Sequence, residues 1–257
     1  MLSLPLDRRL LAGALLVLGA ALAQPAIADE TVWNWSFGPV VNGSGKLQTE
    51  NRAVGSFQAI ALRSSMKLVL HQGGRESLEL RADDNVLPLI ESRIVDRDGV
   101  PTLELGLKKG TSYKSGTPIV AHIELISLRA LSISGSGDVV GDALKTPALA
   151  IAISGSGNVK LGQLAADEVS AKVSGSGDLL FGGKAGKLAV SISGSGDVNA
   201  RSLEADDVSI SMAGSGDASV TARKTLNVSI AGSGSVVYAG DPIVKSSIAG
   251  HGSVRKQ

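Results

Sequence analysis

An acidic or amide side chain follows most of a run of Gly-Ser-Gly triplets: Asp138, Asn158, Asp178, Asp197 and Asp217, with Ser235 and Ser253 in the last two copies. If the triplets stack, Asp178, Asp197 and Asp217 stand about 4.8 Å apart, the separation of neighbouring strands. Carboxylates so close repel unless water, backbone donors or a cation relieve them. Two chemistries are open. Hydrogen bonding to the backbone of the turn makes the acid a structural residue. An oxygen-rich row instead makes Asp178, Asp197 and Asp217 weak candidates for holding Ca²⁺. One carboxylate per repeat is sparse for a cation, and the spacing differs from the Gly-Gly-x-Gly-x-Asp calcium repeats. Asn158 favours the structural role, since it keeps the bond and drops the charge. No other cofactor is expected.

Catalytic chemistry finds less support. Ser136, Ser156, Ser176, Ser195, Ser215 and Ser233 form a hydroxyl row, but a nucleophile needs an oriented base and an oxyanion site. His71 and His122 lie outside the triplets, and His251 replaces the serine of the last, GHG, copy. A glycosidase needs two carboxylates across a sugar-sized gap, and acids are plentiful. The aromatic platform is missing: the chain has two Trp, two Tyr and three Phe, and Phe181 falls on an inward position. His122 and Glu124 share a strand face but have no third ligand nearby in sequence. The expectation is a protein that is not an enzyme. Trp33, Trp35 and Phe37 alternate in WNWSF and are candidates for an interaction surface or for covering one end of a core.

These residues need a scaffold, and the triplets supply its period. Their first glycines are Gly135, Gly155, Gly175, Gly194, Gly214, Gly232 and Gly250, spaced 20, 20, 19, 20, 18 and 18 residues apart. A flexible linker would not keep that period, nor carry apolar residues in register with it. Leu149-Ile151-Ile153, Val169-Ala171-Val173, Leu188-Val190-Ile192, Val208-Ile210-Met212 and Leu226-Val228-Ile230 precede successive glycines at the same offsets. Alternation of this kind is a strand with one buried face. The parity runs on through Gly194 and Gly196 to Val198 and Ala200. The bend glycines (Gly135, Gly137, Gly155, Gly157, Gly175, Gly177, Gly194, Gly196, Gly214, Gly216, Gly232 and Gly234) thus have two uses open. They either line the inside of a bend where no Cβ fits, or adopt positive φ.

Such a unit cannot bury its apolar face alone, but stacked copies make a continuous core. The expected fold is all-β: a single-stranded parallel β-helix of about six coils with an 18–20-residue period. A hairpin meander closing into a barrel or sandwich also gives regular turns, yet supplies no reason for the acid to recur. The chain divides into a leader at 1–28, a β module at 29–124 and the repeat region at 125–257. In the module Met66-Leu68-Leu70, Leu78-Leu80 and Leu103-Leu105-Leu107 alternate between turns at Gly73-Gly74 and Asp98-Gly99. It is expected to be antiparallel and to pack on or cap the first coil. Pro88 limits any helix near Val86–Glu91 to a turn.

The leader reads as a secretory signal: Arg8-Arg9, an apolar run from Leu10 to Leu22, then Ala26-Ile27-Ala28. Cleavage is expected after Ala28, with Ala23 as an alternative and an uncleaved anchor as the competing reading. No later segment resembles a membrane helix. Removing residues 1–28 takes Asp7, Arg8 and Arg9 from 24 acidic and 25 basic side chains, which leaves the two signs equal. A neutral exported chain has no electrostatic reason to seek nucleic acid. Cysteine is absent, so packing and backbone hydrogen bonds alone hold the fold.

The segments VVNGSGKLQTENRAVGSFQAIAL at 40–62, LELRADDNVLPLIE at 78–91, ISGSGDV at 133–139 and 192–198, and YAGDPIVKSSIAGHGSVRK at 238–256 resemble a known family. It is the exported bacterial family described as putative auto-transporter adhesin, head GIN domain, a domain of unknown function. The resemblance spans nearly all of the chain beyond the leader and implies a secreted or envelope-associated protein with a β-helical body. It implies no catalytic residue. Asn158, Ser235 and His251 depart from its repeated pattern.

The function expected is a non-catalytic exported scaffold or surface-interaction module, periplasmic, outer-membrane-associated or extracellular. It would present a rigid polar solenoid surface to an unidentified envelope, protein or polysaccharide partner, with oligomerisation open. A carbohydrate-binding or carbohydrate-active β-helix and a divalent-cation-stabilised envelope module are the alternatives.

Overall fold

The computed structural model describes residues 40–257, so the expected leader and Trp33, Trp35 and Phe37 lie outside the described residues. The first half of the chain forms β1 (Val40–Asn42), β2 (Leu47–Arg52), β3 (Ala59–Arg63), β4 (Lys67–Gln72) and β5 (Ser77–Asp83). After a single 3₁₀ turn at Leu87–Leu89, which contains Pro88, come β6 (Ile90–Arg97), β7 (Val100–Leu107), β8 (Ser112–Lys114) and β9 (Val120–Leu125). The repeats follow as β10 (Ala130–Gly135), β11 (Asp138–Gly155), β12 (Val159–Gly175), β13 (Leu179–Gly194) and β14 (Val198–Gly214). The last elements are β15 (Asp217–Gly232), β16 (Ser235–Ala239), β17 (Ile243–Gly250) and β18 (Ser253–Lys256).

From β10 onward each turn pairs in parallel with the next, giving a β-solenoid of about six turns. Equivalent side chains stack into columns. One runs Leu105, Leu62, Ile133, Ile153, Val173, Ile192, Met212 and Ile230, all buried. A second begins Leu68, Val139, Val159, Leu179, Val198, Ala218 and Val236. Both columns are the alternating series of the sequence, and they close the core because each turn covers the apolar face of the one before. Phe181 is fully buried among them. Turns of 19 and 18 residues fit beside turns of 20 by shifting register at the polar corners, between Leu161 and Leu164 and again between Ala200 and Asp207. The Gly-Ser-Gly bends keep their register throughout.

The segment before residue 125 combines two arrangements. Antiparallel pairs are present between β2 and β5, β5 and β9, and β6 and β7. In addition β3 and β4 pair in parallel with β10 and β11, and β7 and β9 pair in parallel with β3 and β4. These strands are further layers of the solenoid, inserted out of chain order. Alternation in Met66-Leu68-Leu70 and Leu103-Leu105-Leu107 fixes which side is buried but says nothing about strand direction. At that end the antiparallel strands β2 and β6 are outermost, each paired on one side among the described residues. At the other, β17 and β18 each pair on one side only.

Candidate functional site

The bend explains both of its glycines. The carbonyl of each first glycine accepts the N–H of the residue after the first glycine one turn later: Ser156 to Gly135 at 3.0 Å, Ser176 to Gly155 at 2.9 Å, Ser195 to Gly175 at 3.0 Å. That same carbonyl occupies the place of a side chain on the next turn: a Cβ on Gly175 would stand 2.3 Å from the Gly155 oxygen. Gly135, Gly155, Gly175, Gly194, Gly214 and Gly232 also take φ between 121° and 141°, where side chains rarely go. The second glycine has φ open to any residue but equally little room, with 2.3 Å from a Gly196 Cβ to the Gly177 oxygen. Both uses left open by the sequence are therefore realised. In the earlier layer Ser64-Ser65-Met66 stands in the place of Gly135-Ser136-Gly137. No stacked bend lies beneath it, because residues 108–119 join β7 to β9 by a longer route, and Met66 is buried.

The acid after the bend bonds to the neighbouring turn rather than within its own. Asp178 N–H donates to Asn158 Oδ1 at 3.0 Å, Asp197 N–H to Asp178 Oδ1 at 3.0 Å, and Asp217 N–H to Asp197 Oδ1 at 2.8 Å. Ser235 N–H closes the row on Asp217 Oδ1 at 2.9 Å, and Asn158 Nδ2 donates to Asp138 Oδ1 at 2.9 Å. Asp178, Asp197 and Asp217 are thus brought together as a ladder in which backbone donors meet the carboxylates. This differs from the local turn bond, since the partner is 18–20 residues away. Among the described residues no three His, Asp or Glu side chains converge as a metal set. An open groove of about 550 Å³ runs beside the ladder, with Lys67 and Lys160 on its rim.

The bend serines are exposed, and His71 and His122 stand on β4 and β9, in another part of the fold. Those two histidines line a cleft of about 600 Å³ with Glu79 and Glu124. Glu124 is engaged by Arg75 at 2.7 Å, which holds that guanidinium above its ordinary pKa. A larger groove of about 690 Å³ follows the polar corners of successive turns. Its floor is small (Pro147, Ala165, Ala166, Ala185 and Gly186), and its walls alternate in charge: Lys145, Lys184 and Arg223 against Asp167, Glu204 and Asp206. Lys224 reaches Asp206 at 2.9 Å, and that bond holds the Asp206 carboxyl below its ordinary range.

Two polar clusters have no counterpart in the sequence reading. Asp83 is buried and accepts the Ser115 hydroxyl at 2.6 Å, which lowers its pKa. Glu104 is buried on β7 and bonds Arg63, Arg93 and Arg97. Asp83 and Ser115, and Arg63 and Glu104, are distant in sequence and no spacing motif links them, while Arg93 and Arg97 reach Glu104 across the β6–β7 hairpin.

Fold and surface together define a parallel β-solenoid with a mixed, partly antiparallel first end and stacked polar rows. The chain belongs to the family described as putative auto-transporter adhesin, head GIN domain, whose pattern matches residues 56–242. Among solved structures it is similar to a putative adhesin from Bacteroides fragilis, 28% identical over 84% of this chain and 100% of that one, with a TM-score of 0.79. A putative lipid binding protein from Parabacteroides distasonis shares the fold at 24% identity, covering 85% and 100% of the two chains with a TM-score of 0.70. So does a putative adhesin from Parabacteroides merdae, at 23% identity, 84% and 98% coverage and a TM-score of 0.67. No curated protein matches the chain. The family and the Bacteroides fragilis structure support an adhesin-like exported or surface module, and the other two show the fold. Among the described residues no helix is long and apolar enough to cross a membrane.

Proposed function

We propose that the chain is a non-catalytic, exported interaction module whose solenoid is a rigid ruler for polar side chains. The observation that carries this reading is the charged groove along the polar corners. The Gly-Ser-Gly bends hold register throughout, while the corners absorb the changes in turn length and carry the irregular chemistry. Selectivity then resides where the repeat is broken, and the unbroken bends keep Lys145, Lys184 and Arg223 at fixed separations. An extended partner matches such a surface because contacts recur along one axis. The alternating walls would orient it by charge more than they would add to its affinity.

The test is binding of fluorescently labelled protein to cells of the parent bacterium that lack it. Saturable binding is expected, and the double change Lys184→Glu with Arg223→Glu should weaken it at least roughly fivefold at low salt. Equal binding by this variant, with an unchanged melting curve, would remove the groove from the reading. Absence of saturable binding would sink the surface-module reading itself.

A further inference from the structure

The first end of the solenoid carries a second concentration of charge. Glu104 is only 8% exposed at its side chain, yet the arginines around it are 50%, 57% and 44% exposed at Arg63, Arg93 and Arg97. Arg63 Nη2 lies 2.9 Å from Glu104 Oε1. Arg93 places Nε at 3.0 Å and Nη2 at 2.8 Å from Oε2, and Arg97 Nη2 also bonds Oε1. Arg93 alone would suffice to clasp β6 onto β7, with two bonds to one carboxylate. Three guanidiniums on one carboxylate hold like charges together and leave a surplus of positive charge. Each has five N–H donors, so the few bonds to Glu104 use a minority of them.

The surroundings keep this cluster open. Ala61 is the strand partner of Glu104 on β3, and Gly106 is the partner of Arg63. Gly106 places no side chain beside Arg63, though a Cβ there would stand 3.4 Å from the Arg63 Cβ, close to ordinary contact. Glu91, on the same side of β6, adds a more distant negative charge that attracts Arg93.

We propose that Arg63, Arg93 and Arg97, organised by Glu104, form a receptor for a phosphate group, either free phosphate or a phosphate monoester. A carboxylate ligand neutralises one charge, whereas a phosphate monoester near neutral pH carries about 1.5 to 2, inorganic phosphate more than one, and both offer several strong acceptors to separate guanidiniums. The buried carboxylate holds the arginines in place beforehand, so less side-chain freedom is lost on binding. This site lies apart from the corner groove and stands independently of its role.

The experiment is a ³¹P NMR titration of the whole chain with inorganic phosphate in low-salt buffer. It is paired with cosedimentation on phosphatidylcholine vesicles with and without phosphatidic acid. Saturable millimolar binding is expected, weakened roughly five- to tenfold by Arg93→Gln or Arg97→Gln. Glu91→Gln should tighten it, and Lys109→Gln, an equal charge change elsewhere, should leave it unaltered. Should Arg93→Gln melt early, Arg63→Gln serves in its place. Phosphate binding without retention on phosphatidic acid assigns a soluble source; retention competed by phosphate assigns a lipid headgroup. Lack of saturable binding in both arms, or binding untouched by every arginine change, overturns the proposal.

Discussion

At the scale of single residues, the bend is governed by the carbonyls of its two glycines. The first bonds the next turn and each fills the space a side chain would need there, so glycine follows from stacking as much as from φ. Gly196→Ala places a Cβ 2.3 Å from the Gly177 oxygen. It should lower stability by about 1–3 kcal/mol or more by overpacking. Gly74→Ala meets no atom within 4 Å and should leave the melting temperature unchanged or raised. The ladder makes a complementary distinction. Asp197→Asn keeps the acceptor for Asp217 N–H and should stay within about 0.5 kcal/mol of the parent. Asp197→Ala removes that acceptor and should cost about 1 kcal/mol in denaturant unfolding.

At the scale of elements, equivalent positions of different strands differ in what covers them. Ile192 on β13 is buried between turns, while Ile248, in the same column on β17, is 41% exposed. Ile192→Asp should destabilise the solenoid by roughly 3–5 kcal/mol or prevent folding, because it buries an unpaired charge. Ile248→Asp should still give a cooperative melt. Comparable melts for the two would contradict the column. The strand β6 is clasped by Glu104, whose pKa is held below the ordinary 4.5 by the hydrogen bond from Arg97, then by Arg93 and the charge of Arg63, against burial. A lowered folded pKa means stability that is complete above the ordinary value and lost as pH falls through the folded one. Thermal melts from pH 7 to pH 3 should therefore show Glu104→Gln less stable than the parent at neutral pH. The difference should close in acid.

At the scale of the whole molecule, one hydrophobic cluster runs from Phe57 to Val236, and its two ends are finished differently. Antiparallel strands, with β2 and β6 outermost, finish the first end. The last turn leaves Ile243, Val244 and Ile248 exposed on an edge with one partner. Stability resides in stacked turns and backbone bonds, so chelation by EDTA should leave the melting temperature in place. A fall reversed by Ca²⁺ alone would instead assign the acid row to a cation.

The amino-acid sequence by itself determined the period, the inward columns and the glycine positions. Each is set by local alternation and by a short motif repeated at near-constant spacing. Leu188, Val190 and Ile192 declare their side of the strand wherever the turn lies. The sequence did not disclose that Ser64-Ser65-Met66 is a bend of the same stack, because the glycine requirement lapses where no identical bend lies beneath. Nor did it disclose the partner of each ladder acid, since a carboxylate reaches as readily along the axis as within its turn. Only tertiary structure brought Arg63 to the hairpin that holds Arg93, Arg97 and Glu104. Arg93 and Arg97 face Glu104 across the hairpin that turns at Asp98-Gly99, which alternation and the turn residues announce, whereas Arg63 joins only because β7 pairs out of chain order beneath β3, a long-range pairing that leaves no trace in residue spacing.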